Sequence, residues 1–275
     1  MNLLKSFGTF SLLLVLAAGT ADGADSNLNS QKLGEQGSGN SALAPSKAKM
    51  LKASISHSVK LSPLSEGFRA GAQFDFNELK RSVNGNEWYQ IPSWAAGRWK
   101  QTTSTTFFRK DLRTGSSNFT PNTHRFVLSG EHGLQRDRLG NIWDMIGPGA
   151  NKGEGDEYWV IQIIDRVEPI FIDQKEMVLK YTGKSIRVSK STRRIRVAEQ
   201  LECITTSTSQ SSTLLKDVSD IKSFDEDGEP IYLVKCLSFD KKESNFSPVD
   251  VQRGIDVHRR FIEYLKSNNL SALIP

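Results

Sequence analysis

The stretch Tyr158-Trp159-Val160-Ile161-Gln162-Ile163-Ile164-Asp165 decides how the chain is read. Six of its eight residues are aromatic or β-branched, the side chains that suit a pleated surface. A nearly continuous apolar run of this length predicts a central strand. Toward the C-terminus the pattern repeats at regular spacing. Strands are expected over Met177–Tyr181, Ser185–Lys190 and Ile195–Thr206, with Thr182-Gly183-Lys184 as a turn, and then a hairpin joins Leu214–Phe224 to Ile231–Phe239 across Asp225-Glu226-Asp227-Gly228. Toward the N-terminus, residues 132–137 and 141–146 flank the turn signal Arg138-Leu139-Gly140-Asn141. Residues 124–129 and 98–108 supply two more strands. About ten strands with no crossover helix between them imply a mainly β, antiparallel barrel or sandwich rather than βαβ units.

The end of the chain changes period. Ser247-Pro248 reads as an N-cap followed by proline at the first helical position. Val251, Ile255, His258, Ile262 and Leu265 then recur at helical steps, predicting an amphipathic helix over 248–267.

Before the first long strand, EWYQIPSWAAGRW carries Trp88, Trp94 and Trp99 beside Tyr89 and Ile91. Aromatics this dense bury a large apolar area and are read as a core plug. Gly97-Arg98-Trp99, where the strand opens, resembles the G-x-W signature of lipocalins and other calycin barrels. The resemblance implies an antiparallel meander of roughly 8–10 strands closed as a barrel, with a late helix. It implies that Trp99 plugs the closed end under a basic side chain, and that the interior holds a small apolar or amphipathic ligand. A β-sandwich is the alternative fold.

The chain starts with Lys5, an apolar run over Leu12–Ala18 and the small residues Gly19 and Ala21. This order predicts a signal peptide over 1–21, too short to span a membrane, and export to a periplasmic or extracellular compartment. Residues 22–73 are polar or sparsely hydrophobic, so they are expected to be disordered or loosely docked. The folded domain is expected over 74–275, with Phe74, Phe76 and Leu79 as a short helix or clamp.

Formal net charge is +5, a mild excess that allows attraction to anionic surfaces without requiring it. Lys184, Arg187, Arg193, Arg194 and Arg196 form the one basic stretch, a candidate face for anionic lipid or polysaccharide. Alternation would set Arg194 and Arg196 opposite Ile195 and Val197. Nucleic acid is not an expected partner, because no aromatics interleave with these charges. Cys203 and Cys236 lie in expected strands, and an exported chain can keep a bridge between them. His124 and His132 with Glu131 are candidates for a metal or a hydrolytic site, although no ligand motif matches their spacing; Asp225, Asp227 and Glu229 could suggest calcium, but their incomplete loop spacing favours a hairpin tip. No cofactor motif is present. Three functions follow: a non-catalytic binding protein, an envelope-associated interaction protein using the basic stretch, or a hydrolase.

Overall fold

The computed structural model describes residues 56–80, 87–146, 149–252 and 254–275. The expected signal peptide and most of the polar segment lie outside these residues. β-branched and aromatic runs separated by turn residues become fourteen strands among the described residues. They are β1 (Glu87–Ile91), β2 (Gly97–Asp111), β3 (Ser117–Asn118), β4 (Asn122–His132), β5 (Gln135–Arg136), β6 (Ile142–Ile146) and β7 (Gly149–Glu154). Then come β8 (Tyr158–Ile172), β9 (Glu176–Ser189), β10 (Ile195–Ser211), β11 (Leu214–Phe224), β12 (Pro230–Ser244), β13 (Val251–Gln252) and β14 (Ile255–Asp256). One helix, α1 (Val257–Ser267), follows.

All pairings are antiparallel. A long sheet runs β2-β12-β11-β10-β9-β8-β7, with β3 and β4 both on the free edge of β2. β8 to β12 form a meander of successive hairpins, and β2 closes onto β12 across a long sequence gap. Among the described residues β4 and β7 are not paired to each other, so the hydrogen-bonded path is open. A small sheet, β1-β6-β5, packs against α1 through Trp88, Trp143, Met145, Val257, Phe261 and Leu265. Trp88 and Phe261 meet with ring centroids 4.9 Å apart.

Two local readings are corrected. Thr182-Gly183-Lys184 is not a turn, because β9 runs unbroken from Glu176 to Ser189. At Gly183 a Cβ would collide with the carbonyl oxygen of Ile163, so this glycine admits a close backbone approach inside the strand. The helix starts at Val257, not at 248. Gly254, with φ +77°, turns the β13–β14 ribbon, and Asp256 caps the helix by accepting from the Arg259 amide at 2.8 Å. The buried stripe is therefore Val257, Phe261 and Leu265, while Val251 is exposed.

The polar N-terminal segment is docked from His57 onward rather than loose. It crosses the outer face of the long sheet as a strap. Leu64 and Phe74 bury against Ile161, Ile186, Val188, Ile195 and Ala198. Leu61 and Leu64 donate backbone hydrogen bonds to the carbonyls of Gly228 and Glu226, and Phe74 donates to that of Arg193. Phe76–Lys80 forms a short 3₁₀ helix. The hairpin carboxylates read as a possible calcium loop are taken by cations: Asp227 by Arg69, Asp225 by Arg113 and Glu229 by Lys60.

The strap is also held by charge. Glu202 on β10 accepts from the Ser58 amide at 2.6 Å and from its hydroxyl at 2.7 Å, and lies 3.1 Å from Lys180. His57 Nε2 is 3.2 Å from Asp220, and its Nδ1 is 3.6 Å from Glu202, an ion-pair contact rather than a hydrogen bond. Burial opposes charge on His57, but Asp220 and Glu202 overcome it and raise its pKa above the ordinary 6.5. Burial likewise opposes charge on Glu202, but the contact with His57 and the bonds from Ser58 and Lys180 hold it down to about 2.

Candidate functional site

The inner face of the long sheet is built by alternation, with bulges adjusting the register where β12 meets β2. Register sets Met177, Ser207, Asp217, Ser238 and Ser104 side by side across β9, β10, β11, β12 and β2. The next row holds Leu179, Thr205, Ser219, Cys236 and Thr106. Beyond it stand Tyr181, Cys203, Ile221, Val234 and Arg109. Side chains two apart on a strand share a face, so these rows form one surface. A buried sheet face is ordinarily apolar; this one is rich in hydroxyls and carboxyls.

Two acids stand out. Asp240 is 1% exposed and Asp217 9%, and each has one carboxyl oxygen, Oδ1, without a hydrogen-bond partner among the described residues. Asp217 pairs with Ser238, so Asp240 is its diagonal neighbour on the next strand. Diagonal positions stand about 7–8 Å apart at Cα, within reach of each other's side chains. Ser207 bonds to Asp217 and Gln101 to Asp240. Burial pushes both carboxyls above the usual carboxylate range, and the nearby Asp217 charge pushes Asp240 further.

A third acid approaches from the small sheet. Asp144 on β6 is fully buried and faces Tyr89 and Tyr181, and the Tyr89 hydroxyl lies 3.5 Å from Asp144 Oδ2. Burial pushes Asp144 up to about 7, against hydrogen bonds from the Gly133 and Met145 amides.

The two ends of the face differ. Near Asp240, Trp99 is fully buried and donates its indole N–H to the Ala95 carbonyl at 2.8 Å. Lys242, paired with Trp99 in the β12–β2 register, lies 4.6 Å from the indole ring centroid and donates to the Ala96 carbonyl. Gly97 has φ +124°, and any Cβ there would strike the Ser244 carbonyl oxygen. At the far end Tyr232 donates to Glu199 at 2.5 Å, and the exposed Arg109 lies 4.7 Å from the Tyr232 ring centroid. Arg187 reaches over the Tyr158 ring at that end.

The other expected site residues are dispersed. Trp88 belongs to the small-sheet core under α1, and Trp94 sits half-buried in the turn before β2, so the three tryptophans do not form one plug. Lys184 is on the outer face, 2.5 Å from Asp165 and over the Phe68 ring. Arg194 donates to the Gly71 carbonyl and so anchors the strap. Arg193 and Arg196 are exposed, and a bulge between Ile195 and Val197 breaks the expected alternation, leaving Ile195 buried and Val197 exposed. His124 and His132 lie eight residues apart on the single strand β4, roughly 25 Å at strand rise, so they cannot share a metal or a substrate. Burial pushes His132 down to about 4.

The Cys203–Cys236 bridge is absent. Both thiols are free, and β11 lies between their strands, which puts the Cα atoms roughly two strand spacings apart, near 10 Å. Burial pushes the Cys203 thiol up to about 12 and raises Cys236 as well. Titration in denaturant is expected to find two thiols, with slow reaction of both in the folded protein. A mass two daltons short of the reduced chain would overturn the free-thiol assignment.

Asp217, Asp240, Asp144 and the His57–Glu202 anchor are not found from motifs. Their signal is a breach of alternation: Leu215, Asp217, Ser219 and Ile221 share one face of β11, and two of the four are polar. Comparison with protein-family models, curated proteins and solved structures finds no match to this chain.

Proposed function

We propose that this chain is an exported, non-catalytic binding protein that holds a small amphipathic molecule on the inner face of its long sheet. The observation that carries the reading is that face itself. It sets half-buried side chains (Thr106, Val234, Cys236) beside two buried acids that each keep one oxygen unmatched (Asp217, Asp240), a composition that favours a bound molecule over a sealed core. The calycin reading of the fold draws support from one constellation: Gly97 in its positive-φ conformation, Trp99 buried beside it and Lys242 across the indole. In that reading the meander rolls into a barrel closed at Trp99, with Arg109, Arg187 and Tyr232 around the opposite mouth. An interaction protein using its basic stretch is disfavoured, because Lys184 and Arg194 are engaged within the fold. Among the described residues no helix is long and apolar enough to cross a membrane.

Native mass spectrometry on gently purified protein, compared with the denatured mass, tests the reading. An excess mass that disappears on denaturation is expected. A bare polypeptide mass from several gentle preparations would overturn it.

A further inference from the structure

Buried carboxyls are expensive unless a cation or a full set of donors meets them. Asp217 and Asp240 have neither. Among the described residues no ion pair reaches either acid, and each leaves one oxygen unmatched. The groups that pack around the pair are neutral: Gln101 from β2, Ser207 from β10, Leu215 from β11 and Ser238 from β12. Met177 on β9 continues the same row, and the titratable Tyr181 phenol on that strand feels both Asp217 and Asp144. The nearest lysine in register, Lys242, lies over the Trp99 ring and donates to the Ala96 carbonyl. Arg109 belongs to the far end with Tyr232. The chain therefore sets two acceptors on one buried face and supplies no cation of its own.

We propose that Asp217 and Asp240 together receive the primary ammonium group of an amphipathic ligand, whose apolar body lies along the half-buried Thr106, Val234 and Cys236 of the same face. An ammonium has three N–H donors, enough to serve both unmatched oxygens and still donate to a neighbouring hydroxyl. A divalent metal is disfavoured, because among the described residues no three His, Cys, Asp or Glu side chains gather as ligands. Burial holds protons on this pair to higher pH than on ordinary carboxyls, and an ammonium between them favours their charged forms. Binding of an amine is therefore coupled to proton release, and it weakens as falling pH protonates the pair.

This inference rests on the ligand-binding reading above, and the test separates the two. The full chain is titrated with n-octylammonium chloride and with n-octanol, equal in chain length but different in charge, at pH 8 and pH 5. The expected result is octylammonium binding at least tenfold tighter than octanol at pH 8, with that advantage shrinking at pH 5. The double substitution Asp217→Asn and Asp240→Asn is expected to remove the advantage of the amine over the alcohol. Equal binding of amine and alcohol, or an advantage that survives the double variant, would overturn the ammonium site and leave the binding reading standing. Failure of both probes to bind would overturn both. Should the double variant not fold, the pH dependence of the octylammonium advantage in the unaltered protein decides: a flat profile refutes the proposal.

Discussion

Replacing Trp99 with alanine is expected to destabilise the fold by about 3–5 kcal/mol, the range for removing a large buried aromatic side chain. Three losses coincide. The indole is fully buried, its N–H satisfies the Ala95 carbonyl, and its face receives the Lys242 ammonium at 4.6 Å. Against a typical stability of roughly 5–15 kcal/mol, this is a large fraction of the total. Urea unfolding measures it, and Trp99→Phe is expected to fall between wild type and alanine because it keeps a ring under Lys242. A loss below about 1 kcal/mol for the alanine variant would mean that the indole does not close the end of the core.

The second large effect belongs to the strap. Glu202→Ala takes away the carboxylate shared by Ser58, Lys180 and His57, with Glu202 only 3% exposed at its side chain. Breaking a buried charge cluster by removing one partner costs about 3–5 kcal/mol. Hydrogen exchange at Leu61 and Leu64 is expected to quicken well before exchange within β10. The pH profile carries its own signature. Glu202 has a lowered pKa, so its stabilisation is fully present above the ordinary 4.5 and is lost as pH falls toward about 2. His57 has a raised pKa, so its share is fully present below 6.5 and is lost as pH rises through the raised value. The strap is thus tightest between about pH 4.5 and 6.5. In Glu202→Ala the acid limb carried by Glu202 should vanish, while part of the alkaline limb remains through Asp220. Unchanged strap exchange would refute the anchor.

The meander was legible because its strands announce themselves through local composition. YWVIQIID reads as a strand wherever it lies, and the Asp225–Gly228 tip fixes its hairpin without reference to the rest of the molecule. Gly183 misled because a glycine between polar residues looks like a turn, whereas here it admits the Ile163 carbonyl. The helix start misled for a similar reason. Ser247-Pro248 has the chemistry of a cap, but Asp256 provides the cap that is used. The strap was invisible because Leu64, Phe68 and Phe74 are too widely spaced to show any period, and the ion pairs that tie it to the sheet span more than 140 residues. The inner carboxyls were legible in principle as polar residues at alternating core positions of β11 and β12. Their nearness to each other follows from register alone, which a single sequence does not state.

The pairing of β2 with β12 has a consequence for the order in which the protein takes shape. The hairpins from β8 to β12 each join neighbours in sequence and can form as soon as both strands exist. The Thr106–Cys236 contact instead spans 130 residues, so the entropy of closing that loop must be met before the pairing returns any free energy. During synthesis β2 leaves the ribosome long before its partner, with β3 and β4 able to pair only on its other edge. The molecule is thus assembled back to front: the later meander forms the template, and the earlier strands dock onto its last edge.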